Sequence, residues 1–292
     1  VDSGVQVATN QQRREAAKRK LERQLVRRAE RARRRKIVGV GVTVGAVVVV
    51  AGLVVFFTTF DGGSSNNAAP PSTAPTSQVQ IPTQRVTEAA RPTPLPNPTT
   101  CDYPASTTQQ AGKAAKAPNG KNVPSTGTVN VTLHSSVGDM PLTLDRALAP
   151  CTVNSFLNLI NQNFYTDTSC HRLGTEGLQM LQCGDPTGSG MGGPGYTIPD
   201  ENFPQLTYGR GILAMAKTSQ PNSGGSQFFM VYGDAQLSPD YTVFGSISDA
   251  GLQVLDKVAR DGVDPASAAQ SQAQDGTGAP KTPVKFTGAT IS

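Results

Sequence analysis

With 292 residues, 37% hydrophobic content and no tryptophan, the chain has room for one folded domain of ordinary size and accessory segments. Its net charge of +5 averages two unlike regions: residues 11–36 hold thirteen Lys and Arg against Glu15, Glu22 and Glu30, while everything after Lys36 sums to −4. The basic charge belongs to one segment, which speaks against a basic nucleic-acid-binding domain.

In chain order, residues 1–36 form that basic segment, rich in helix-forming Ala, Leu, Arg, Lys and Glu. Residues 37–60, IVGVGVTVGAVVVVAGLVVFFTTF, are 24 positions without a charge. As a helix they would run about 36 Å against a hydrocarbon core of ~30 Å, and a transmembrane helix is expected. The run Arg33-Arg34-Arg35-Lys36 abuts one end and Asp61-Gly62-Gly63 the other. The positive-inside rule then places the N-terminus in the cytoplasm and the remainder outside a cell membrane crossed once. The apolar run is too long for a cleaved signal peptide, and no A-x-A site follows it, so it reads as an uncleaved anchor. Residues 61–125 hold eleven of the 22 prolines among Ser, Thr, Ala, Gln and Asn. That composition reads as a disordered linker unable to bury a core of its own.

From residue 126 onward the pattern changes. Residues 128–135 alternate Val129, Val131 and Leu133, and residues 140–145 follow a Gly138-Asp139 turn, so a hairpin is expected. Residues 152–160 place Val153, Phe156, Leu157 and Ile160 on one helical face; residues 252–259 do the same with Leu252, Leu255 and Val258. Short strands are expected at 170–173, 178–183, 212–216, 228–232, 243–247 and 284–291. Many short strands with two helices imply a mainly β fold, an antiparallel barrel. Within it, the apolar runs 212–216 and 228–232 flank the turn cluster 219–225, with Lys217 and Gln227 beside an aromatic wall. That combination suits a small pocket for an apolar ring and its amide. Four cysteines beyond the membrane favour disulfides, with three possible pairings. Zinc is the alternative for Cys170 and His171, but the spacing fits no zinc pattern and the only other histidine is His134, so no metal is expected.

The stretch GILAMAKTSQPNSGGSQFFM resembles the central signature of the cyclophilins, the cyclosporin-binding peptidyl-prolyl cis-trans isomerases. Further family segments follow in order: Asn154-Ser155-Phe156, Cys170-His171-Arg172-Leu173, Gln182-Cys183-Gly184-Asp185, Gly192-Gly193 with Asp200-Glu201-Asn202-Phe203, and Val243-Phe244-Gly245. The resemblance covers residues 127–292 and implies an eight-stranded antiparallel barrel capped by two helices. It implies prolyl isomerisation without a cofactor, with Arg172, Gln182 and Phe229 as catalytic residues. Met180, Gly190, Ala216, Lys217, Thr218, Gln227, Gln236, Leu237 and Tyr241 would bind substrate. His171 would pack behind Arg172. In the family register Cys170 and Cys183 lie on adjacent strands and pair, leaving Cys101 for Cys151.

Departures from the family pattern are equally specific. Gln179 stands where the family has an aromatic wall residue before Met180, with Leu178 as the substitute if the register slips. Gln236 stands for the far-wall Trp, Tyr241 for a His, and Lys217 for an Asn. Weak cyclosporin binding is therefore expected. The leading reading is a membrane-anchored isomerase assisting the folding of exported, proline-containing polypeptides. The alternative is a catalytically weak tethered module that grips proline-containing partners.

Overall fold

The computed structural model describes residues 79–107, 110–270 and 276–292. The basic segment, the expected span at 37–60 and the first part of the expected linker lie outside the described residues. Among the described residues no helix is long and apolar enough to cross a membrane.

Ten strands and three helices are described. A two-residue strand β1 (Gln110–Ala111) precedes the hairpin β2 (Thr128–Ser135) and β3 (Met140–Asp145), helix α1 (Pro150–Asn161), and strands β4 (Arg172–Gly174) and β5 (Leu178–Cys183). Then follow β6 (Gly192–Gly193), β7 (Ile212–Met215), β8 (Phe228–Ala235), β9 (Val243–Ile247), α2 (Asp249–Asp261), the short α3 (Pro265–Gln270) and β10 (Phe286–Ile291). Eight of the strands form one antiparallel sheet in the order β10-β2-β3-β9-β7-β8-β5-β4. The sheet curls so that the residues leading into its two end strands meet. Cys170 N donates to Val284 O and Phe286 N to Thr168 O, each at 2.9 Å.

Each element follows from local sequence. In β3, Met140, Leu142 and Leu144 are buried and alternate with half-buried partners, the period-2 signature of a strand with one face on a core. Helix α1 starts at Pro150, where a missing N–H costs nothing. The Glu201 carboxylate, from a distant loop, accepts from the amides of Cys151 at 2.9 Å and Thr152 at 2.7 Å, satisfying two orphan donors. Helix α2 is capped by Ser248, whose Oγ accepts from Gly251 N at 3.1 Å. Its Asp256 receives Arg210 in a two-pronged pair at 2.7 and 2.9 Å, which ties the helix to the segment leading into β7. Between helices and sheet lies an aromatic cluster in which Phe156 meets Phe228 and Phe244, both at 5.3 Å between ring centres.

The eight expected strands and two expected helices are present, with ends shifted by a few residues; α3 and the β1–β6 pair were not foreseen. One expectation fails. Residues 79–107 and 110–125 are not a free linker but a strap folded onto the domain. Gln80 O accepts from Gln179 Nε2 at 2.7 Å, Arg85 reaches Asp249 at 2.8 Å, and Arg91 Nη2 donates to Leu148 O and Glu201 O at 2.8 and 2.7 Å. Cys101 is bonded to Cys151, and β1 pairs with β6 in parallel. Composition misleads here because the strap needs no core of its own: an already folded surface supplies the buried area and the hydrogen-bond partners.

The strap is expected to contribute stability. Cys101–Cys151 closes 50 residues, worth about 4 kcal/mol by chain entropy. A protein beginning at residue 127 should therefore melt about 10 °C below one beginning at residue 79. Calorimetry of the two checks this, and equal midpoints would show the strap to be passive.

Candidate active site

The register across four neighbouring strands sets out the site. Arg172 on β4 lies opposite Gln182 on β5, Gln182 opposite Phe229 on β8, and Phe229 opposite Ala214 on β7. Directly opposed residues share a face, so guanidinium, carboxamide and aromatic ring project on one side of the sheet in a single row. Two residues along β5, Met180 and then Leu178 fall on that face too. Together with Ala216, Lys217, Leu237 and Tyr241 they enclose a cleft of about 140 Å³. One end is charged and the other apolar. Phe229 and Tyr241 pack edge to face at 5.6 Å, and Phe229 is only 5% exposed, so its ring forms a firm floor.

The polar end is held by a chain of hydrogen bonds. Arg172 Nη1 donates to Gln182 Oε1 at 3.4 Å, and Gln182 Nε2 to Gln227 Oε1 at 3.0 Å. Gln227 Nε2 donates to the carbonyls of Gly190 and Gly192, both at 2.9 Å. The loop carrying those carbonyls is gathered around buried Asp185. Burial would push that carboxyl up, but hydrogen bonds from Thr187, Gly192 and Gly190 outweigh it and hold the group below the usual carboxylate range. From the other side, Arg172 Nε donates to Thr277 Oγ1 at 2.9 Å. The Cys170–Cys183 disulfide sits immediately beside the Arg172–Gln182 pair and staples the lead into β4 to the last residue of β5.

Of the residues expected from sequence, Arg172, Gln182, Phe229, Met180, Ala216, Lys217, Leu237 and Tyr241 line the cleft. Four others stand elsewhere. Gln227 is buried behind Gln182 and its side chain is engaged on both ends, so it supports the wall; Gly190 supplies a carbonyl to it. Thr218 is exposed and turned into its own loop, its amide and hydroxyl both bonded to Ser223 Oγ. Gln236 is exposed and lines no part of the cleft.

Gln179 is likewise not a wall residue. Strand alternation puts it on the far side of β5. A bulge in the β5–β8 register accommodates it, two steps on β5 matching four on β8. There its Oε1 accepts from Asp234 N at 2.9 Å, close against Gly233, where a Cβ would collide. The wall position falls to Leu178. Lys217 is half-buried and paired with Asp200 at 3.1 Å, closing one rim. His171 is half-buried with its ring beside Gly190, and burial lowers its pKa, so the neutral ring is favoured. Among the described residues no group of histidine, cysteine and carboxylate side chains could hold a metal ion.

Thr277 was missed from sequence. It lies between α3 and β10 in a stretch with neither motif nor periodicity, and only the fold brings it to Arg172.

Known proteins resemble the chain in sequence. Residues 128–290 match the model of the family described as cyclophilin type peptidyl-prolyl cis-trans isomerase/CLD. A probable peptidyl-prolyl cis-trans isomerase B of Mycobacterium leprae is 48% identical over 274 residues, covering 87% of this chain and 92% of that one. Its Mycobacterium tuberculosis H37Rv counterpart is 46% identical over 177 residues, 56% of this chain and 57% of that one. A solved cyclophilin type isomerase of Cryptosporidium parvum is 30% identical, covering 57% of this chain and 98% of that one, with a TM-score of 0.48. The chain belongs to the cyclophilin-type peptidyl-prolyl cis-trans isomerases.

Proposed function

We propose that this isomerase acts on proline-containing stretches of exported polypeptides outside the membrane, with residues 37–60 as its anchor and Arg172 as the group that lowers the barrier. The observation that carries the reading is the row Arg172–Gln182–Phe229, which sets a fixed cation one residue-width from an apolar seat. The barrier to be crossed, ~20 kcal/mol, is amide resonance. Twisting the prolyl bond breaks that resonance and leaves the nitrogen pyramidal and basic. A guanidinium suits it because it stays protonated and presents planar donors. The proline ring rests on Phe229, Met180, Leu178 and Leu237 while Gln182 aligns the preceding carbonyl. Donors aimed at where electron density appears favour the twisted state over either planar isomer. No covalent bond forms and no proton need move.

Two disulfides support an oxidising compartment, in keeping with the charge asymmetry that points the domain outward. A surface anchor beside the exit route of secreted chains suits an enzyme for slow prolyl steps in folding.

Replacing Arg172 by Ala should lower kcat/KM on Ala-Pro peptides by about 100-fold, as for loss of one transition-state donor. A protease-coupled isomerisation assay measures it. A folded Arg172→Ala protein working at the unaltered rate would remove Arg172 from the mechanism.

Cyclosporin binding is expected to be weak. Gln236 is exposed and lines no part of the cleft, and Leu178 replaces an aromatic wall. Loss of a ring contact and a hydrogen bond costs about 2–3 kcal/mol, or roughly 30–150-fold in affinity. Titration calorimetry on the unaltered protein tests this, and nanomolar binding would contradict it.

A further inference from the structure

Strand β4 ends the sheet order, and an end strand three residues long is a poor platform for a side chain that must be held still. A segment from far along the chain steadies it. Leu173 N donates to Gly278 O at 2.6 Å, and Gly278 N donates back to Leu173 O at 3.1 Å. This two-way pair lies next to Arg172 and brings Thr277 over the strand. Thr277 is 3% exposed, and its methyl packs against Gly174, where a Cβ would come within 3.2 Å of it.

The segment is in turn pinned from behind by α3 and the turn before it. Ala279 N donates to Ser267 Oγ at 2.7 Å, and Asp264 N to Ala279 O at 2.9 Å. Gly278 must be glycine for this approach, because a Cβ there would meet Ala268 N at 2.9 Å. The backbone pair at Gly278 and the methyl contact at Gly174 therefore both help to place Thr277.

That hydroxyl accepts from Arg172 Nε at 2.9 Å, while Gln182 Oε1 faces Nη1 at 3.4 Å. A guanidinium is rigid and planar, so two partners on different atoms, from different parts of the chain, set both its position and the tilt of its plane. We propose that Thr277 is a positioning residue for prolyl isomerisation: it fixes the plane of the Arg172 guanidinium before substrate binds, so that the donor need not be ordered during the twist. This rests on the reading of Arg172 given above.

The test uses the full 292-residue chain in mild detergent, with Ala-Pro peptides in the coupled assay. Thr277→Val keeps the shape and removes the acceptor, and Thr277→Ala removes both hydroxyl and methyl. Each should lower kcat/KM about tenfold, while Thr277→Ser, which keeps the hydroxyl, should stay within about twofold of the unaltered protein. In nitrogen-15 spectra the Arg172 Nε–H should exchange slowly with water in the unaltered and Ser proteins and about tenfold faster in the Val protein. In an Arg172→Ala background, Thr277→Val should add no further loss, because the group it orients is gone.

An unchanged rate in folded Thr277→Val, with Arg172→Ala slow, would overturn the role of Thr277 alone. A loss persisting in the Arg172→Ala background would overturn it too, showing that Thr277 acts through the fold. A full rate in Arg172→Ala would remove both this inference and the reading beneath it.

Discussion

Phe228 and Phe229 are neighbours on β8 and face opposite ways. The first is fully buried among Phe156, Tyr165 and Phe286, and the second floors the cleft beside Tyr241. This period-2 alternation, carried across four hydrogen-bonded strands, is what the rest of the molecule depends on. If β5 slipped by one residue against β8, Gln182 and Met180 would turn inward and Leu181 and Cys183 would face the cleft. Core and cleft are therefore two sides of one register. The helices, the aromatic cluster and the Cys170–Cys183 bridge all serve to keep that register in place.

Around the row of functional side chains the protein has built supports from segments remote in sequence. Gln227 reaches the cleft wall from behind and is held by the carbonyls of a glycine-rich loop. That loop is drawn together by Asp185, and its Gly192–Gly193 strand pairs with Gln110–Ala111 of the strap. On the opposite flank, the segment after α3 supplies both the backbone pair to Leu173 and the hydroxyl to Arg172. A shallow cleft on the outside of a sheet has little burial of its own to immobilise a long arginine, so order is imported from both sides through hydrogen bonds.

The strap illustrates how composition and context separate. Prolines and small polar residues leave no apolar periodicity, yet Arg85, Arg91, Tyr103 and Lys113 each find backbone carbonyls or carboxylates on the domain. Val123 and Cys101 are buried against it. A segment read by itself is judged by the core it could form; a segment lying on a folded neighbour needs only partners. The same distinction explains Gln179, which looked like a weakened wall residue. It instead joins β5, β8 and the strap through one carboxamide.

The elements and most of the cleft were legible in the amino-acid sequence. Alternating stretches, bounded apolar runs and 3.6-period patterns located the eight sheet strands and both main helices, because burial on one face or on both imposes those patterns. The ordered motifs around Arg172, Gln182 and Phe229 named the residues that the register then brought into one row. Which of two adjacent side chains, Leu178 or Gln179, faces the cleft was settled by strand pairing, since that turns on a bulge against β8. Tertiary contacts likewise placed Gln227 and Gly190 behind the wall, Gln236 and Thr218 outside it, and Thr277 within reach of Arg172 across 105 positions. Those outcomes depend on contacts between distant segments, and no local pattern of residues encodes which distant segment will arrive.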